Sequence, residues 1–101
     1  MAEPQARPNA NRALIVGRIK EARRNGEFTH TVILIPAADE FSMPGVCEIS
    51  SKKRLGASGD DVQVVVDVTG YFGKSFQATD KETGERVTRR PVQNVLRAIE
   101  Q

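Results

Sequence analysis

Gly59-Asp60-Asp61-Val62-Gln63-Val64-Val65-Val66-Asp67-Val68-Thr69-Gly70-Tyr71-Phe72 is the stretch that decides how the rest of this chain is read. Val62, Val64, Val66 and Val68 recur at period two, while Gln63, Asp67, Thr69 and Tyr71 take the opposite phase. Successive side chains of a strand point to opposite faces, so the pattern predicts one long strand with a buried valine face and a more polar one. On that reading Tyr71 points outward, and Phe72, in phase with the valines, points into the core. Gly73, Lys74, Ser75 and Phe76 follow, then a polar turn over residues 79–85 and a basic return segment.

Upstream, residues 13–22 read as a first strand, with Gly17 marking a bulge or a close backbone approach. Residues 23–27 form a turn around Asn25-Gly26, a pair suited to tight hairpins. Residues 28–35 return as a β-branched strand that Pro36 stops, and 37–44 form a loop. Residues 45–51 make a short third strand, and 52–59 a basic loop or a single helical turn. The last segment has two readings. Val92, Val95, Leu96 and Ile99 fall at i, i+3, i+4 and i+7, a helical pattern with Pro91 placed for a first turn. As a strand, residues 86–99 would close a barrel, with Pro91 at an edge or bulge. We read strand to about Val92 and leave the remainder open.

Five short strands with glycine-bearing turns, and no room for a βαβ crossover, predict an all-β barrel. At this length the five-stranded Greek-key barrel, the OB-fold, fits best, with a short C-terminal helical turn under the helical reading. Residues 1–11 are expected to be a flexible leader and 12–101 a single OB-fold domain. With 39% hydrophobic and 28% charged residues, the chain has the composition of a folded domain rather than a disordered one. Cys47 is the only cysteine, which rules out an intrachain disulfide and fits a reducing cytoplasm. No apolar run approaches the roughly 20 residues of a helical membrane span, and the N-terminus lacks an apolar signal segment.

The formal charge of +2 does not by itself point to nucleic acid. The kind and placement of the charges say more. Ten of the fifteen cations are Arg, whose planar fork suits phosphate, and Arg86, Arg89, Arg90 and Arg97 follow one another with no acid between.

Three motifs resemble the bacterial single-stranded DNA-binding protein (SSB) family and its short, PriB-like members. Residues 11–19 (Asn11-Arg12-Ala13-Leu14-Ile15-Val16-Gly17-Arg18-Ile19) are similar to that family's opening strand. Gly59-Asp60-Asp61-Val62-Gln63-Val64 is similar to the start of its fourth strand. Phe76-Gln77 ahead of Asp80-Lys81-Glu82-Thr83-Gly84-Glu85-Arg86 is similar to its aromatic-Gln and Asp-x-x-Gly-x-x hairpin. The resemblance implies an OB-fold, binding of single-stranded DNA, and assembly into a homodimer or homotetramer. The chain departs from the family in having no Trp, with Phe76 where one is expected. It also has a short link between the third and fourth strands, and no linker with an acidic tip after the barrel.

Single strands bind where a cationic groove follows the phosphates and rings accept unstacked bases. Tyr71 and Phe76 are the candidate stacking residues, near Lys74, Lys81, Arg86, Arg89 and Arg90. The bland alternative is that both rings cover a barrel edge or a subunit contact. Arg18 and Lys20 share a face of strand one, Arg23 and Arg24 sit at its hairpin, and Lys52, Lys53 and Arg54 form the densest cluster. Singly, each is an ordinary solvated charge; as neighbouring clusters they suit phosphate contact. His30 lies in strand two with no acid or cysteine at ligand spacing and is read as packed or half-exposed. Cys47 is read as a small buried side chain. Asp39-Glu40 and Asp60-Asp61 sit beside turns, where carboxylates cap loops.

No catalytic residue, metal site or cofactor is expected, and the protein is read as non-enzymatic. The expected function is binding of single-stranded DNA with low sequence preference in replication, recombination or mobile-element transfer, alongside replication or recombination proteins. Two rivals remain. One is a primosome-type adaptor using Phe41, Met43, Val65 and the apolar C-terminal face around Ile99. The other is an RNA-binding barrel.

Overall fold

A computed structural model describes Arg7 and residues 9–100 of the chain, so the expected leader falls mostly outside the described residues. The described residues form seven strands and no helix. These are β1 (Arg12–Asn25), β2 (Phe28–Ile35), β3 (Gly45–Ser51), β4 (Asp61–Phe72), β5 (Phe76–Thr79), β6 (Arg86–Arg89) and β7 (Val92–Ala98). Five close a barrel in the order β1-β2-β3-β7-β4, with β4 returning to β1. The β3–β7 contact is parallel and the other pairings are antiparallel. β5 and β6 form a separate two-stranded hairpin between β4 and β7.

Alternation along each strand fills the barrel. Ile19, Ile33, Ile49, Val66 and Ala98 are buried, and Ala13, Ile15, Cys47, Val62, Val64 and Leu96 pack around the centre. Thr29, Thr31 and Ser51 are also buried on inward positions, so this small core is partly polar. The outward phase carries Leu14 opposite Val65, Val16 opposite Gln63, and Arg18 opposite Asp61.

Gly17 is a point of close approach: a Cβ there would lie 2.3 Å from the Leu34 carbonyl oxygen, so only hydrogen fits between β1 and β2. The bulge falls further on, where the β1–β2 register shifts between Ile19 and Glu21. The extra residue reverses the alternation beyond Lys20, which turns Glu21 and Arg23 outward opposite Val32 and His30. The loop over residues 52–60 fastens the bulge. Ile19 N donates to Asp60 O (2.9 Å), Gly59 N to Ile19 O (2.8 Å) and Ser58 Oγ to Lys20 O (2.8 Å). That loop contains no helical turn.

One open reading is settled and two expectations are corrected. Residues 92–98 are a strand, not a helix or helical turn, because β4 offers a full antiparallel ladder from Val66–Ala98 to Phe72–Val92. A long-range partner overrides a local period of 3.6. The barrel is therefore closed by β7, after a break at Arg90-Pro91, while β6 pairs only with β5. The valine face of β4 is buried only as far as Val66. Val68 is 46% and Phe72 61% exposed, because the strand runs on past the barrel's end.

Candidate nucleic-acid interface

Outward positions of four adjoining strands meet in one shallow groove of about 270 Å³. β2 supplies Phe28 and His30, β3 Glu48 and Ser50, β4 Tyr71, and β7 Gln93, Val95 and Arg97. Period two explains the set: β2 turns Thr29, Thr31 and Ile33 inward, which leaves Phe28 and His30 outside. β7 reaches this face only because it is a strand, with Ser50 opposite Arg97 and Tyr71 opposite Gln93.

Polar contacts order the groove. The Arg97 guanidinium carbon lies 5.2 Å from the Phe28 ring centroid, so cation and ring form one platform. His30 Nδ1 is 2.9 Å from Ser50 Oγ and 3.7 Å from Glu48 Oε1. Arg23, opposite His30 on β1, donates from Nη2 to Glu48 Oε2 at 3.1 Å. Tyr71 is 62% exposed, its ring free to meet a flat partner.

One end of the groove adjoins the β1–β2 hairpin. Its two-residue turn, Gly26-Glu27, has positive φ at Gly26 alone (64°), the pattern of a II′ turn. Arg23 and Arg24 share a cleft here with Arg54, which the loop after β3 carries in. Arg24 Nε donates to Gly26 O (3.2 Å) and Arg54 Nε to Gly56 O (3.0 Å). In each case the terminal amino groups remain for a ligand. Lys52 and Lys53 precede Arg54. Lys53 N donates to Glu100 Oε1 at 2.7 Å, and this bond, followed by the nearby charges of both lysines, holds the Glu100 carboxyl below the ordinary range.

Past Tyr71 and Phe72 the chain rises into the β5–β6 arm. Phe76 stands opposite Arg89 and Thr79 opposite Arg86, while Lys81 lies in the turn between the two strands. Arg90, at the arm's base, stacks over Phe72 at 4.8 Å. Lys74, Phe76, Lys81, Arg86, Arg89 and Arg90 thus share one arm, with Phe76 half-exposed on it.

Arg18 is set apart from these groups. It is bonded to Asp61 at 3.0 Å on the β1–β4 side, where that hydrogen bond raises its already high pKa. Lys20 is exposed at the bulge. Phe28, His30 and Arg97 are not among the nucleic-acid contacts read from the sequence, where His30 reads as a packed or half-exposed side chain. The outward phase of β2 was the available signal for the first two, and Arg97 lies in the segment open between strand and helix. Asp39 and Asp60 behave as loop caps, whereas Asp61 pairs with Arg18. Asp39 Oδ1 accepts from Ser42 Oγ (2.8 Å) and Phe41 N (2.9 Å), which lowers its pKa in that order of importance. Asp60 Oδ2 accepts from Ala57 N at 2.9 Å. Cys47, read as buried, is only partly so, packed against the edge of the core, and that burial pushes its thiol up.

The class these features define is a small closed β-barrel with a ring-and-arginine groove on its outer face between two basic projections. No family model matches the chain. Over 73 residues it is 40% identical to a DNA-binding protein of Escherichia phage If1, a match covering 71% of this chain and 75% of that protein. The chain belongs to the family of that phage DNA-binding protein.

Proposed function

We propose that this protein binds single-stranded DNA with little sequence preference, without enzymatic activity, in replication, recombination or mobile-element transfer in the cytoplasm. The observation that carries the reading is the groove itself. Phe28, Tyr71 and Arg97 lie on one outer face, with the Arg23, Arg24 and Arg54 cleft at one end and the basic arm at the other. Rings and guanidinium planes accept any base, and arginines meet any phosphate, so neither favours a sequence. Relationship to a phage DNA-binding protein supports the same ligand.

We also assign the barrel to the OB-fold. Its five-strand order supports this, as does the position of the cationic segments. OB-folds bind oligonucleotides on the face of strands two and three, between the loops joining strands one to two and four to five. Here those elements are the β2–β3 face, the β1–β2 hairpin and the β5–β6 arm.

Self-association is part of the reading. Leu14, Val16, Leu34, Val46 and Val65 stand between 43% and 64% exposed on outward positions of β1 to β4, apolar surface of the kind that marks a contact with another chain. Phe41 and Met43, 90% and 87% exposed in the loop between β2 and β3, add further apolar area without a partner in the barrel. The ion pairs Arg12–Asp67 and Arg18–Asp61 lie on the same β1–β4 pair and carry both signs of charge, which a self-complementary two-fold contact can use. A second copy is therefore the occupant we assign, ahead of a primosome-type partner.

Fluorescence anisotropy with labelled oligo-dT at two salt concentrations tests the function. Tight binding that weakens as salt rises is expected, and no binding even at low salt would overturn it. Competition with an RNA oligomer separates the RNA-binding rival, because the 2′-hydroxyl is the discriminating group.

A further inference from the structure

Glu48 is out of place on a surface meant for phosphates. It stands in the middle of the groove, bonded to Arg23 from β1 at 3.1 Å and 3.7 Å from His30 on β2. Arg97 from β7 and Tyr71 from β4 line the same groove, and Ser50 on β3 lies against the imidazole. Without DNA the arrangement balances. Arg23 neutralises Glu48, and a neutral imidazole can accept the Ser50 hydroxyl through Nδ1. A phosphate that engages Arg23 upsets it, because Glu48 then loses its cation beside a second negative charge. The group already in position to restore neutrality is His30, and imidazole is the side chain whose charge ordinarily changes near pH 7.

We propose that His30 is a proton-linked contact of the DNA groove: a strand phosphate takes over Arg23, and His30 binds a proton between the phosphate and the released Glu48. The proton comes from solvent and goes to the imidazole, with Nδ1–H directed at Ser50 and Glu48 and Nε2–H left for the strand. The phosphate adds a second negative charge beside the imidazole, which favours that protonation in the complex. DNA affinity therefore rises as pH falls through the neutral range. The inference rests on the proposed binding of single strands and adds its regulation. The chain has one histidine, which makes the assignment of a neutral-range titration tractable.

The test is anisotropy with an oligo-dT probe at constant ionic strength between about pH 6 and about pH 8. The natural protein is compared with His30→Gln and His30→Arg, each checked for folding by circular dichroism. Calorimetric titrations in two buffers of different ionisation enthalpy count the protons taken up. Affinity of the natural protein should rise about fivefold towards the acid end. His30→Gln should be flat and weak, His30→Arg flat and tight, and proton uptake should lie between zero and one per site. A flat profile for the natural protein, or an undiminished slope in His30→Gln, overturns the proposal while leaving DNA binding intact. Failure to bind the probe at any pH overturns the DNA reading and this inference together. Should His30→Gln not fold, His30→Arg and the buffer-dependent heats still decide the matter.

Discussion

Two aromatic residues of the groove have different neighbours and the same expected role. Phe28 is half-buried beneath Arg97, whereas Tyr71 stands 62% exposed. Truncating either to Ala should weaken oligo-dT binding by roughly 1–3 kcal/mol, the usual worth of one base stacked on a ring. Tyr71→Ala removes little buried surface, so its thermal midpoint should stay close to that of the natural protein, and anisotropy and melting read together check both claims. Thr31 supplies the opposite case, a residue that matters for stability alone. Its Oγ1 is buried and without a hydrogen-bond partner among the described residues. Valine has nearly the same shape without the hydroxyl, so Thr31→Val should stabilise the barrel by about 1 kcal/mol, read from urea unfolding, with binding unchanged.

The elements divide into barrel strands, which were legible, and the segments that build the groove's two ends, which were legible only in part. β2 and β3 match the predicted bounds because β-branched runs stopped by Pro36 and by loops leave few alternatives. β1 runs longer than its apolar pattern, since residues after the bulge are held by β2 rather than by the core. The state of β7 stays open in the sequence because its apolar spacing fits a helix while the partners that make it a strand lie far away. The arm's pairing followed from its turn, but its detachment from the barrel did not. Gly73 N donates to Pro91 O at 2.8 Å, so the two feet of the arm already touch. Replacing residues 74–90 by a short Gly-Ser link should therefore leave the barrel folded. It should reduce the salt slope of binding by about 0.7 for each phosphate that the arm would otherwise neutralise. At the other end, Glu100 clips the Lys52–Lys53 turn through the Lys53 amide. Its carboxyl sits below the ordinary range, so the clip persists above the unfolded carboxylate value and is lost as pH falls through the lower, folded one. An NMR titration should show the Lys53 amide following that low transition, and Glu100→Gln should abolish it.

Taken whole, the molecule is open for its size. Its radius of gyration is 17.4 Å and its extents are 49 × 37 × 30 Å, against about 13 Å for the radius of a compact 100-residue domain. The difference lies in projections that bury little of their own, and a two-stranded hairpin of four-residue strands is marginal alone. Partners that cover these surfaces, DNA in the groove and a second copy on the apolar flank, would supply the missing contacts. The net charge of +2 means that attraction to DNA comes from local clusters rather than from the field of the whole protein. Engagement of about five phosphates would give a slope of about −3.5 for log K against log salt, despite the near-neutral total. The flank and the groove share β2, β3 and β4 but use different outward positions along them, so they should be separable. Leu14→Glu with Val65→Glu places like charges on a facing cross-strand pair of the apolar flank. Light scattering should then give a monomer mass where the natural protein gives a multiple of 11.1 kDa. Binding of a short dT probe that occupies one groove should persist in the double variant. A natural protein that stays monomeric at high concentration would remove the second copy from the flank without touching the assignment of the groove.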